Sequence, residues 1–226
     1  MEKYKGMIVK MYKKNIFQLL VTMILATGIG FIIFTNHDKK VKKDKKEEKR
    51  MEEFKTLIVY YSRTGNTKVV AELIQEKVDG TLVQIETKEP RPKDYRTEVE
   101  QNEKEQDNHT LPELKTIVSD FDEYNRIFIG TPTWNMAVPQ AVLSFLESYN
   151  FDGKTVIPFN THGGYGEGAT FRQISANISG ANILSGYTVK GGEETNGVLL
   201  AIKDKNKYKV SKEIDLWLKN INQLNE

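Results

Sequence analysis

Apolar and polar positions follow two different rhythms along this chain. From Phe54 onward, short apolar runs rich in β-branched residues recur at Thr56–Tyr61, Leu82–Ile85, Arg126–Gly130, Thr155–Phe159 and Ile183–Val189. Runs of that length read as buried strands. Between several of them lie stripes with i, i+3, i+4, i+7 spacing: Val70, Ala71, Ile74 and Val78; then Leu111, Leu114, Ile117, Val118 and Phe121; then Val138, Ala141, Val142, Phe145, Leu146 and Tyr149. Each stripe predicts an amphipathic helix. A last helix is expected from about Val210 to Ile221, with Ile214, Trp217, Leu218 and Ile221 inward. Strands alternating with helices need crossover connections, hence an α/β fold with a parallel sheet covered on both faces. Residues 88–110 are polar and read as a loop with some helix. In residues 193–209, Gly197 to Ile202 is apolar enough for a short strand or a helix start, with a turn at Asp204–Asn206.

The N-terminal part has a third rhythm. Ile16 to Phe34 is an uncharged run of 19 residues. As a helix it would measure about 28 Å, close to the hydrocarbon thickness of a bilayer. A buried core helix of that length would carry a polar face, which this run lacks. It is also longer than a usual signal core, and no A-x-A-like cleavage site follows it. The expectation is therefore a basic tail at 1–15, an uncleaved transmembrane anchor at 16–34, a charged solvated stalk at 35–53 and a folded domain at 54–226. Five lysines precede the span and eight Lys/Arg follow it, which favours a cytoplasmic domain by the positive-inside rule. A short basic tail before a first apolar segment argues the reverse. The chain is thus expected in the cell membrane, single-pass, with the side of the domain open.

Charge changes the picture of the domain. Residues 1–53 hold 13 Lys/Arg and 7 Asp/Glu, leaving 20 and 24 for residues 54–226 and a net −4 there. A mildly acidic domain without a basic, aromatic-laced patch is a poor nucleic-acid binder. The chain has no cysteine, which excludes disulfides, thiolate metal sites, Fe–S clusters and a lipid-modified cysteine.

Candidate chemistry sits at the end of the first strand. Ser62, Arg63, Thr64, Gly65, Asn66 and Thr67 crowd small polar groups where strand turns into helix. In a parallel sheet the ligand site lies at the carboxyl ends of the strands. Free N–H groups at a helix start attract an anion, hydroxyls and the Asn66 amide add donors, and Gly65 lets the backbone approach. The pattern points to a phosphate. Neither G-x-x-x-x-G-K-S/T nor G-x-G-x-x-G is present, so the P-loop and dinucleotide fingerprints are both missing. The bland reading is a capped helix after a glycine turn.

The run Ile58-Val59-Tyr60 followed by Ser62, Gly65, Thr67, Ala71 and Ile74 resembles the signature of the flavodoxin family, whose loop grips the phosphate of FMN. Gly130 to Pro139 is similar to the G-x-P-I-W-W-G-x-x-P of its short, membrane-associated or secreted bacterial members. Phe159 to Gly168 is similar to their P-F-x-T-x-G-G-x-G-x-G. The resemblance spans roughly Thr56 to Gly192. It implies a doubly wound five-stranded parallel sheet with FMN held by three loops: Ser62, Arg63, Thr64, Gly65, Asn66 and Thr67; Thr131, Pro132, Thr133, Trp134 and Asn135; and Thr161, His162, Gly163, Gly164, Tyr165 and Gly166. Trp134 would stack on the flavin ring, with Tyr165 as a second face. Asn135 and Met136 depart from the pattern's second tryptophan and glycine. His162, a lone loop histidine, is read as solvated and given no catalytic role.

In such a protein the flavin does the chemistry and the chain sets its potential. The resemblance implies a membrane-anchored FMN electron carrier serving redox partner proteins. The alternatives are an FMN-dependent oxidoreductase passing electrons from a reduced nicotinamide to a quinone or similar small acceptor, and a flavin-free scaffold.

Overall fold

The computed structural model describes residues 54–224. The tail, anchor and stalk expected at 1–53 lie outside the described residues. Among the described residues no helix is long and apolar enough to cross a membrane.

The strands are β1 (Thr56–Tyr60), β2 (Thr81–Gln84), β3 (Arg126–Pro132), β4 (Thr155–His162), β5 (Asn182–Ile183) and β6 (Tyr187–Lys190). The helices are α1 (Asn66–Val78), α2 (Tyr95–Asp107), α3 (Gln140–Ser148), α4 (Thr170–Asn177) and α5 (Asp204–Asn220). All strand pairs are parallel, in the order β2-β1-β3-β4-β5, with β6 also on β4. The expected fifth strand is thus present in two pieces along one neighbour. Its break lies beside Pro158 of β4, which has no N–H to offer a ladder. Gly186 passes so close that a Cβ would meet the Phe171 ring at 2.7 Å and the Pro158 carbonyl at 2.9 Å. The Trp217 indole donates to the Ser185 carbonyl at 2.9 Å, satisfying part of the interrupted backbone.

The two-residue period of the strands sorts their side chains into two cores. Leu57 and Val59 of β1, Ile127 and Ile129 of β3 and Val156 of β4 face α3 and α4, packing on Phe145, Leu146 and Ile174. Ile58 and Tyr60, Phe128, and Ile157 and Phe159 face α1 and α5, packing on Val70, Ile74, Ile214, Trp217 and Leu218. β1 is buried along its whole length, whereas β2, at the edge, is half-buried at its centre and exposed at both ends. At the amino ends of the strands Arg126, 4 % exposed, donates to the Thr56 hydroxyl and the Val78 carbonyl.

Two expectations need correction. The stripe from Leu111 to Phe121 forms no helix; only Phe121–Glu123 makes a 3-10 turn, and Ile117 is 78 % exposed. Its backbone pairs with the chain just past β2, through Lys115 N–H to the Glu86 carbonyl at 2.9 Å and Lys88 N–H to the Glu113 carbonyl at 2.8 Å. Covering a sheet edge outweighs local periodicity there. The connection's helix is instead α2, inside the polar segment, started by Asp94 accepting from the Thr97 N–H at 3.0 Å. The turn expected at Asp204–Asn206 is the first turn of α5. Helix α4 has too few apolar positions, chiefly Ile174 and Phe171, to announce itself.

Gly130 of β3 lies opposite Phe159 of β4, and a Cβ there would meet the Phe159 ring at 2.2 Å and Tyr60 Cβ at 2.9 Å. Overpacking of this kind costs about 1–3 kcal/mol. Gly130→Ala is expected to lower unfolding stability by at least that range, read from the midpoint of a urea titration of the full-length chain.

Candidate functional site

The carboxyl ends of β1, β3, β4 and β6 frame a cleft of about 380 Å³. All three loops singled out in the sequence line it, through Ser62, Arg63, Thr64, Asn66 and Thr67; Pro132, Thr133, Trp134 and Asn135; and Thr161, His162, Gly163 and Tyr165. Gly65, Thr131, Gly164 and Gly166 stand behind the wall. Gly65, at φ 91°, starts α1 in a left-handed conformation, and Thr131 is fully buried.

At the first loop no side chain caps α1 and its first turn holds no acidic residue. The Ser62 hydroxyl accepts from the Gly65 N–H at 3.2 Å, and the Thr64 hydroxyl accepts from the Asn66 side-chain amide at 2.9 Å. A hydroxyl that accepts within its loop keeps its own proton for a third group. Thr67 and Thr161 are joined hydroxyl to hydroxyl at 2.8 Å, fixing the first loop to the third. An uncapped helix start ringed by hydroxyl donors has the chemistry of an anion site.

Two members of that loop do other work. The Asn66 amide nitrogen also donates to the Leu199 carbonyl at 2.6 Å, and its oxygen accepts from the N–H groups of Ala201 and Ile202 at 2.9 and 3.2 Å. The side chain expected as an anion donor is therefore a clamp on residues 199–202. Arg63 grips the Glu194 carboxylate with two nitrogens, at 2.9 and 3.0 Å, and donates to the carbonyls of Pro92 and Lys93 at 2.9 Å each. Its guanidinium joins three segments of chain. The bond to Glu194 holds its pKa above the usual value.

The second loop is a two-residue hairpin. Trp134 and Ala137 exchange backbone bonds at 3.0 and 2.9 Å, while Asn135 and Met136 both take positive φ, 48° and 60°. Such a turn suits Asn followed by Gly. Asn135 meets the first requirement, and Met136 occupies a left-handed position where the family pattern has glycine. The Met136 carbonyl accepts from the Ala169 N–H at 2.7 Å, and a Cβ on Gly168 would come within 2.5 Å of that oxygen. Trp134 stands edge-on to Tyr61, ring centres 5.5 Å apart. Tyr165 is 82 % exposed.

His162 is half-buried rather than solvated. Its Nδ1 accepts from the N–H groups of Gly164 and Gly166, both at 3.1 Å, so the ring is neutral with its proton on Nε2 and holds the glycine loop in shape. Burial, aided by Lys190, pushes its pKa down, while Glu167 opposes the shift. Beneath it, fully buried Asn160 donates to the Thr131 carbonyl at 3.0 Å and the Thr133 hydroxyl at 2.9 Å, and accepts from Thr188 at 3.1 Å. Asn160 was legible only as a member of its motif.

Periodicity missed a fourth wall of the cleft. Tyr95, Glu98, Val99 and Asn102 of α2 line it, as do Met136, Gly191, Gly192, Glu193, Glu194 and Thr195. Among the described residues no group of three or more His, Cys, Asp or Glu side chains is placed to hold a metal.

Comparison with known proteins gives the same class. The chain belongs to the flavodoxin family, whose model "Flavodoxin" matches residues 55–203. A protein from Bacteroides uniformis assigned as a flavoprotein is 33 % identical, with 63 % of this chain and 94 % of that one covered and a TM-score of 0.56. One from Bacteroides eggerthii with the same assignment is 25 % identical, covering 75 % and 98 %, with a TM-score of 0.61. A Lactobacillus acidophilus flavoprotein solved in complex with FMN is 26 % identical, covering 60 % and 93 %, with a TM-score of 0.52. No curated protein matches the chain.

Two tests follow from these loops. A left-handed non-glycine residue costs roughly 1–2 kcal/mol, so Met136→Gly is expected to raise the thermal midpoint by about 2–8 °C. No rise in scanning calorimetry would show that the turn carries no strain. For His162 the folded pKa lies below the unfolded value of about 6.5. Its contribution is therefore complete above that value and is lost as pH falls through it toward the folded pKa. As pH falls below about 6.5 and on toward the folded pKa, the amides of Gly164 and Gly166 are expected to exchange hydrogen faster than their intrinsic pH dependence allows, as read by NMR.

Proposed function

We propose that this chain binds FMN in the cleft and acts as an electron carrier, held at a membrane by residues 16–34. The observation that carries the reading is the start of α1: uncapped, free of acidic side chains and faced by the hydroxyls of Ser62, Thr64 and Thr67. That set fits a phosphate monoester, and the Trp134 ring on the same cleft fits a flat heterocycle. The FMN bound by the Lactobacillus acidophilus relative supports the same cofactor here.

Bound FMN would supply one- and two-electron transfer. The chain's own part is to hold and exclude. Hydroxyls and α1 amides would take the phosphate, Thr67–Thr161 fixes the spacing of the first and third loops, and His162 shapes the glycine loop that would help hold the ring. The acidic domain disfavours added negative charge on the cofactor, which lowers its potential. Redox proteins at the same membrane are the proposed partners.

One observation favours the oxidoreductase reading. A second cavity of about 720 Å³ adjoins the first, with Arg63, Glu98 and Trp134 among their shared lining residues. Such a space gives a small acceptor or a nicotinamide a place to approach.

The full-length chain, purified in detergent, is expected to show flavin absorption or to acquire it on titration with FMN. Hydrogen bonds to a charged group contribute about 1.5–3 kcal/mol, or about 10–100-fold in affinity. Ser62→Ala combined with Thr64→Ala should therefore weaken FMN by at least that factor while leaving riboflavin, which has no phosphate, nearly unchanged. Rapid oxidation of reduced nicotinamide by the loaded chain alone would favour the reductase, and a colourless chain that takes up no flavin would leave the scaffold.

A further inference from the structure

Helix α2 presents to the cleft the one feature that neither the three motifs nor the flavin reading uses. Its buried residues are not apolar: they are Glu98 and Asn102, each 2 % exposed. Four positions apart, they share one face of the helix. Both line the cleft.

Neither is fully satisfied. Glu98 Oε1 accepts from Arg91 Nε at 2.9 Å, but Oε2 accepts no hydrogen bond from any described residue and stands 3.8 Å from Arg63 Nη1. Asn102 Oδ1 likewise accepts none. Burial pushes the Glu98 pKa up against the pull of Arg91 and Arg63. Leaving a buried acceptor unpaired costs about 1–3 kcal/mol, more for a charged group. Helices α1 and α3 bury polar side chains only beside an apolar stripe, Val70, Ala71 and Ile74 in one and Ala141, Val142 and Phe145 in the other, whereas α2 buries none that is apolar.

Beyond the 3.8 Å ion pair of Glu98 Oε2 with Arg63 Nη1, the two oxygens accept no hydrogen bond from a described residue. Helix α2 is docked by other bonds: Gln106 Nε2 donates to the Trp134 carbonyl at 3.3 Å, Gln140 Nε2 donates to the Glu105 carbonyl at 3.2 Å, and Arg91 reaches Glu105. Both free oxygens are acceptors, and both lie beneath the cleft surface. The last torsions of Glu and Asn side chains are soft, so carboxylate and amide can turn toward a donor that enters.

We propose that Glu98 and Asn102 form a donor-reading subsite, taking hydroxyl or N–H groups of the cleft's ligand. This rests on the FMN reading, in which two sources offer that chemistry: the hydroxyls of the ribityl chain and the imide N–H of the ring. The subsite makes α2 a specificity element, selecting ligands that carry donors at that wall over flat aromatics that carry none.

The test uses the full-length chain in detergent, freed of flavin, and titrates FMN, riboflavin and lumiflavin, the ring without its ribityl chain. Asn102→Leu removes one unpaired acceptor at similar volume. It is expected to leave the thermal midpoint of the apo chain unchanged or raised, because a buried unsatisfied oxygen is gone, while weakening flavin about 5–10-fold. Glu98→Gln, which keeps the shape and one carbonyl, is expected to weaken it about 10-fold or more. Loss confined to FMN and riboflavin assigns the ribityl hydroxyls, and loss across all three assigns the ring N–H. Wild-type affinities for all three in both variants would overturn the subsite alone, as would an apo midpoint that falls in step with affinity. A wild-type chain that binds none of the three would overturn the flavin reading and the subsite with it.

Discussion

A strand with hydrogen-bonded neighbours on both sides and helices on both faces can place polar chemistry only at its ends. That constraint organises this domain. β1, β3 and β4 give the side chains along their length to two cores, so the groups able to meet a ligand gather at their carboxyl ends and in the elements beyond them. Because the chain leaves β1 toward β2 on one side and leaves β3 toward β4 on the other, the loops leaving β1 and β3 diverge and leave a gap. The cleft is this gap, deepened by the glycine loop after β4 and walled by α2.

Several of the cleft's groups are engaged in holding it open. Arg63 and Arg91 are arrayed against Glu98, Glu105 and Glu194 through bonds of 2.5 to 3.0 Å and one contact at 3.8 Å. Three carboxyl groups against two guanidiniums leave the ionic wall with one acidic group in excess. Partly buried pairs of this kind are screened little by salt, so the geometry of the wall should persist at high ionic strength. A phosphate would find donors among the hydroxyls and amides of the first loop, whereas the one arginine of that loop faces carboxylates and carbonyls.

The sheet was legible because burial on both faces leaves a strong mark: five β-branched runs stand where β1 to β6 lie, and only the proline-side break in the last was missed. The stripe at Leu111–Phe121 misled because i, i+3, i+4 spacing also arises when a few residues of an irregular segment touch the core, as Val118 and Phe121 do. The bounds of α2, within a segment read only as a loop with some helix, were hidden for the converse reason, since its inward face is polar and periodicity registers only apolar faces. Asp94 was the available signal, an N-cap residue ahead of a run of good helix formers. Within the site, motif order pointed to the three loops, yet roles inside them depended on partners far along the chain. Nothing near Asn66 announces that its amide is turned to Leu199, Ala201 and Ile202, and nothing near His162 announces that its Nδ1 faces two glycine amides.

Those long reaches set a timetable. Arg63 meets Glu194 across 131 positions of sequence, and Asn66 meets Ala201 and Ile202 across 135 and 136. Contacts so distant in sequence form late, after the loop-closure entropy has been met by the sheet. On the ribosome, the first loop emerges long before the segment that steadies it. The nascent domain therefore passes through a stage with β1, β3 and β4 available to pair but the cleft incomplete, and competence for a ligand arrives only with the last quarter of the chain.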